Sequence, residues 1–194
     1  MSQTRVYILG AGCSVCGGYP LAWEVRKALE DFAKDNLQVD ETKELRRCVE
    51  KTCELMDQHG IQTTDQLAQA LGEDRRAEIE ESKKAMSALF FSLEDVAVEK
   101  AYSQYARLFE ELFEQGESPL MEDRVMATNC RVLTYNYDRL FERAFIKWAL
   151  PQAERSDANA ISKAVEWLNS SLRNPSTAEF VPDRFALLKL HGGI

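Results

Sequence analysis

The chain has no apolar run approaching the roughly 20 residues that a helix needs to cross a bilayer, so no membrane span is read from it. It has only 2 histidines in 194 residues, and its 5 cysteines are an odd number. Met1-Ser-Gln-Thr-Arg5 leads straight into an apolar stretch, and no signal peptide is read there. Thiols without a secretory leader read as reduced cysteines in a cytoplasmic protein. Positive charge is also short: 24 Lys and Arg against 32 Asp and Glu give a net charge of −8. An acidic surface offers no counter-charge to a phosphate backbone or an anionic bilayer, so neither nucleic acid nor membrane is expected as a direct partner. An anionic nucleotide is not excluded, because backbone N–H groups can hold one. There is no internal repeat and no low-complexity linker. What remains is an ordinary globular composition, 45% hydrophobic and 29% charged, in a chain of one-domain length with room for a small helical subdomain.

Three short strands are predicted. Val6–Leu9 is a β-branched and aromatic run, Arg131–Thr134 follows a polar loop, and Phe185–Leu190 follows Asn174-Pro-Ser-Thr. Helical spacing of apolar residues occupies most of the rest. Leu21, Val25, Leu29 and Phe32 form one stripe, and Leu45, Cys48 or Val49, Thr52 and Leu55 form another within 41–58. Gly60 suits a helix stop, and Thr63 with Gln66 suits a capping box. From Glu73 to Gln115 the pattern is almost entirely helical, and its aromatic stripe (Tyr102, Tyr105, Phe109, Phe113) reads as packing between helices. Asp138 can cap a helix that runs to Trp148 and stops at Pro151, and another helix fits Ala158–Leu172. Alternating strands and helices predict an α/β fold: a Rossmann-like, mostly parallel sheet flanked by helices, with a large helical insertion at about 40–123. The sheet can be incomplete at its C-terminal end, since three strands are few for such a fold, and the chain then reads as the N-terminal part of a longer domain.

Three small motifs stand at the carboxyl ends of the three strands, where parallel sheets bind ligands. The first is the loop of Val6-Tyr-Ile-Leu-Gly-Ala-Gly-Cys-Ser-Val-Cys-Gly-Gly-Tyr-Pro20. Its glycines would let the backbone approach a pyrophosphate. It is not the usual dehydrogenase fingerprint, because position 15 is Val15 rather than glycine and the next acidic residues, Glu30 and Asp31, lie inside a helix. The bland alternative is a tight turn with no ligand. The second is Thr134-Tyr-Asn-Tyr-Asp138, whose Asn136 amide can hold a ribose hydroxyl or an attacking water, or can serve as an ordinary turn residue. The third is Lys189-Leu-His-Gly192. His191, between a strand and two glycines, is better suited to moving a proton than to filling a core. His59, before Gly60, suits a helix end. If the three strands are neighbours, all three motifs meet on one rim. Cys13 with Cys16, and Cys48 with Cys53, do not suggest a metal site: the first pair lies inside the phosphate loop, and the second is on different faces of a helix.

These three segments, in this order, resemble the sirtuin motifs Gly-Ala-Gly-x-Ser-x-x-x-Gly-x-Pro, Thr-x-Asn-x-Asp and His-Gly. The wording Asn-Tyr-Asp and Lys-Leu-His-Gly is similar to bacterial sirtuin-like domains that act as NAD hydrolases in phage defence. The likeness covers both ends of the chain and its middle, and leaves about 40–123 unmatched. It implies that Gly10, Ala11, Gly12, Cys13, Ser14 and Pro20 bind NAD, with Thr134 and Asp138 supporting the pocket. It also implies that Asn136 orients the ribose or the water, and that His191 is the general base. Leu21-Ala-Trp23 replaces the Asp-Phe-Arg of deacetylating sirtuins, and no four-cysteine zinc module follows His191. The expectation is therefore a cytoplasmic NAD glycohydrolase in antiviral defence, with NAD as substrate, no metal, and a second copy or a sensor protein as regulator. A noncatalytic NAD or ADP-ribose binding module is the main rival, and a protein deacylase the lesser one.

Overall fold

The computed structural model describes residues 5–10, 12–115, 125–127, 130–134, 138–171 and 186–189. In chain order the elements are β1 (Arg5–Leu9), α1 (Gly12–Val15), α2 (Val25–Asn36), α3 (Lys43–His59), α4 (Thr64–Leu71), α5 (Arg76–Leu112), β2 (Phe113–Gln115), β3 (Val125–Ala127), β4 (Cys130–Thr134), α6 (Leu140–Ala149), α7 (Ala158–Ser171) and β5 (Ala186–Lys189). Two compact units form: Met1–Gly17 with Asp95–Ile194, and Gly18–Glu94.

The Gly18–Glu94 unit is all helix. On α2, Val25, Leu29, Phe32 and Ala33 recur at helical spacing and are buried. Along α3 the buried residues are Cys48, Val49, Thr52, Cys53, Leu55 and Met56. These stripes share one core with Leu67 and Leu71 of α4 and with Ala85, Met86 and Leu89 of α5. Gly60 ends α3 in a left-handed conformation (φ 63°) that a side chain would strain. The Thr63 hydroxyl caps α4 by accepting from the Gln66 N–H. Outside the core, Arg26 makes paired bonds to both carboxylate oxygens of Asp57, which hold that carboxyl below its usual range.

In the other unit, β1, β4 and β5 form a parallel sheet of 3 strands in the order β1-β4-β5, and β2 and β3 pair antiparallel. The second half of α5 gives Ala97, Ala101, Tyr105 and Phe109, each four residues after the last, to an aromatic core. Phe141, Phe145 and Trp148 of α6 meet them, and Phe145 stacks on Trp167 of α7 at 5.3 Å and 12°.

The expected Rossmann-like sheet flanked by helices is not the architecture adopted. The protein is mostly helical, and its longest helix, α5, runs for 37 residues. A sheet flanked by helices buries both faces. On β1 only the Tyr7 and Leu9 side turns inward, while Val6 is 58% and Ile8 69% exposed. The helical periodicity of residues 43–112 outweighs the strands, none of which exceeds five residues among the described residues. A second correction concerns Phe113–Gln115, expected at the end of the long helix. It is strand β2, with Phe113 paired to Ala127.

Candidate functional site

The parallel strands bring their last residues into one row: Leu9 pairs with Thr134, and Thr134 with Lys189. The chain therefore leaves all three strands at the same edge, and the neighbour relation on which the one-rim expectation depended holds. Asn136 and His191, each two residues beyond that row in the sequence, lie outside the described residues, as does Ala11.

The loop after β1 is compact. The Cys13 N–H donates to the Gly10 carbonyl at 2.9 Å, and the Gly17 N–H to the Ser14 carbonyl at 3.0 Å. Two kinds of glycine occur here. A Cβ on Gly10 or Gly12 would meet nothing within 4 Å, so those positions face open space. A Cβ on Gly17 would sit 3.0 Å from the Ala97 carbonyl oxygen and 3.0 Å from Leu140 Cδ2. Gly17 is therefore required by packing, whereas the first two are free for another reason. Gly17→Ala is expected to lower stability by about 1–3 kcal/mol through overpacking. Gly12→Ala should stay within about 0.5 kcal/mol of wild type. Denaturant titration of both variants checks the pair, and equal midpoints would contradict it.

Ser14, expected to contact a ligand phosphate, is only 2% exposed, and its Oγ donates to Asp138 Oδ2 at 2.7 Å across 124 residues of sequence. The other carboxylate oxygen, Oδ1, accepts from the Leu140 N–H at 2.9 Å, so Asp138 satisfies the first N–H of α6 from one residue before the N-cap, which is Arg139 rather than the expected Asp138. Thr134, the first residue of the same motif as Asp138, is buried. Cys13 is half-buried, and its carbonyl accepts from the Cys16 thiol at 3.0 Å. Burial pushes the Cys16 thiol up, with the nearby Cys13 and Asp138 adding to it, so Cys16 stays protonated and is a poor metal ligand or nucleophile. Pro20 is half-buried and belongs to the Gly18–Glu94 unit. Among the described residues, no three His, Cys, Asp or Glu side chains gather as metal ligands. No helix among them is long and apolar enough to cross a membrane.

One residue of this cluster escaped the sequence reading. Tyr105 of α5 is 4% exposed and packs its ring on Phe109 and Phe141, and burial, with the charge of Asp138 after it, pushes its phenol well above the ordinary value. Its place on an apolar stripe marked it as core. The only sign of a second role was a hydroxyl where the neighbours at four-residue spacing, Ala101 and Phe109, carry none.

Compared with protein-family models, curated proteins and solved structures, the chain matches none.

Proposed function

We propose that this chain is a sirtuin-like NAD glycohydrolase, breaking the nicotinamide–ribose bond to give nicotinamide and ADP-ribose. One observation carries the reading: the Ser14–Asp138 hydrogen bond ties the glycine loop to the Asn-Tyr-Asp segment at an edge where three parallel strands end together. Open space at Gly10 and Gly12 suits the close backbone approach that a pyrophosphate requires. The order and spacing of the three motifs supply the rest.

In this reading the nicotinamide of NAD, already cationic, leaves as the ribose gains oxocarbenium character, so the leaving group needs little acid catalysis. What the protein must add is orientation, exclusion of bulk water, and a base. Asn136 orients the ribose hydroxyl or the attacking water, and His191 takes the water's proton. Antiviral defence is the biological setting that the resemblance to phage-defence domains suggests, and a second copy or a sensor protein is the regulator it suggests.

The test is nicotinamide release from NAD by wild type, His191→Ala and Gly12→Ala proteins, with binding followed by calorimetry. Release by wild type that His191→Ala lowers by at least about 100-fold is the expected result. Gly12→Ala should raise KM, because its new methyl group enters the space assigned to the dinucleotide. NAD binding without release would favour the noncatalytic module, and the absence of both would end the NAD reading.

A further inference from the structure

We infer that Cys13 and Cys16 form a redox pair: a small-molecule disulfide oxidises them to an intramolecular disulfide that spans Ser14 and reshapes the glycine loop. The turn itself brings the two side chains together. Cys16 points its sulfur back along the chain, where it donates to the Cys13 carbonyl at 3.0 Å. The turn is entered and left through tight hydrogen bonds between residues three apart, Cys13 N–H to Gly10 and Gly17 N–H to Ser14. In such turns side chains three apart stand over one another. Their Cβ atoms are about 5–6 Å apart in an ordinary helix, and a disulfide needs about 3.5–4.5 Å. The turn must therefore close by about 1 Å. Gly12, in open space, is free to absorb that change. Both cysteines are half-buried and so border solvent. Cys48 and Cys53 are a poorer pair. They are buried, they lie five residues apart on one helix, and burial pushes the Cys53 thiol up to about 11.

The chemistry is thiol–disulfide exchange. The Cys13 thiolate attacks one sulfur of the small disulfide, and the other half leaves as a thiolate. Cys16 then attacks the Cys13 sulfur, the Cys13–Cys16 bond forms, and the second small thiolate leaves. The two departing thiolates take up the two protons that the protein loses. Two protein thiols are oxidised by two electrons, and one small disulfide is reduced to two thiols. Burial keeps Cys16 protonated and slow towards reagents in solution, so Cys13 attacks first. Cys16 needs no such reactivity, because its target is held in the same turn. Ser14 lies between the two cysteines and donates to Asp138 at 2.7 Å. Closing the turn displaces the Gly12 backbone that the NAD reading assigns to the pyrophosphate, and a displacement of about 1 Å costs up to about 100-fold in rate. The effect on activity rests on that reading; the disulfide does not.

The experiment treats native wild type, Cys13→Ser and Cys16→Ser proteins with glutathione disulfide. The remaining thiols are then capped with iodoacetamide in urea, and tryptic peptides are mapped by mass. Residues 6–26 leave as one peptide whose only cysteines are these two. In wild type that peptide should lose two hydrogens and carry no cap, while Cys48 and Cys53 are capped. Cys16→Ser should stop at a glutathione mixed disulfide on Cys13. Cys13→Ser should react at least about tenfold more slowly, at Cys16. Where wild type hydrolyses NAD, oxidation should lower kcat/KM about tenfold and dithiothreitol should restore it. Cys13→Ser should show no such loss relative to its own untreated activity.

No disulfide in native wild type, or one that forms only in urea, overturns the inference. Equal reaction at Cys48 or Cys53 does so too. Unchanged turnover after full oxidation of an active protein overturns the reshaping of the loop. A disulfide that forms in a protein inactive on NAD sustains the redox pair and removes the NAD reading.

Discussion

Phe109→Ala is expected to destabilise the unit containing the parallel sheet by about 4 kcal/mol, within the range for emptying a phenylalanine site in a packed core. Phe109 is fully buried and is the common neighbour of five other rings. Its centroid lies 5.1 Å from Phe141, 5.5 Å from Trp148, 5.7 Å from Phe145, 6.0 Å from Tyr105 and 6.1 Å from Phe113. Phe141 and Phe145 meet it edge-on, an arrangement worth about 0.5–1.5 kcal/mol per pair beyond the area buried. Five large, rigid rings cannot close in on the space left by the six ring carbons, so the cavity term is retained in full. A domain stable by about 5–15 kcal/mol loses a large share of that margin. Phe109→Leu keeps most of the volume and should cost less than about 1.5 kcal/mol. Urea unfolding followed by tryptophan fluorescence checks both, since Trp148 sits against the substituted ring. A loss below about 2 kcal/mol in Phe109→Ala would mean that the cluster relaxes, and would remove Phe109 as its centre.

That core also shows what could be read from the residues and what could not. The stripe Tyr105, Phe109 at helical spacing was legible as packing, because amphipathic periodicity depends only on the residues in the window. The same holds for α3, expected over 41–58 and found at Lys43–His59. Phe113 was misread because it continues the stripe by four residues. Its strand partner, Ala127, lies beyond any local window, and a strand of three residues has no period to detect. The fold class failed for a related reason. Alternation of strands and helices suggests parallel strands, and β1, β4 and β5 do pair parallel, but it carries no information on proportion. The exposed Val6 and Ile8 face of β1 could not be foreseen from an apolar run that fits a strand buried on both sides. At the candidate site, a bond from Asp138 to the start of α6 was legible from its position before an apolar helix, although the N-cap itself is Arg139. Its bond to Ser14 did not, because nothing local reports a contact across 124 residues. Tyr105 stayed hidden because a buried tyrosine satisfies an apolar stripe with its ring, whatever its hydroxyl does.

Asp138→Ala is the second change of large expected effect, about 3 kcal/mol in stability. The carboxylate accepts two hydrogen bonds that serve different elements. Losing the Leu140 N–H bond removes a helix cap, worth about 0.5–2 kcal/mol. Losing the Ser14 bond leaves a buried hydroxyl without its acceptor, which costs about 1–3 kcal/mol. Asp138→Asn separates the two contributions. The amide keeps an oxygen for Leu140 N–H and turns an N–H₂ group toward Ser14, whose hydroxyl must then accept where it had donated, and the charge-assisted bond is lost. Its expected loss is about 1–2 kcal/mol, with the cap on α6 intact. Under the NAD reading both variants should lower activity, because both weaken the bond through which Ser14 anchors the loop. In stability they should differ, because only alanine uncaps the helix. Urea titration and nicotinamide release on the same preparations give the comparison. An alanine variant as stable as wild type would mean that the carboxylate tie contributes nothing. An asparagine variant with wild-type turnover would mean that the charged tie between Ser14 and Asp138 has no part in catalysis, and the functional reading of that contact would fall.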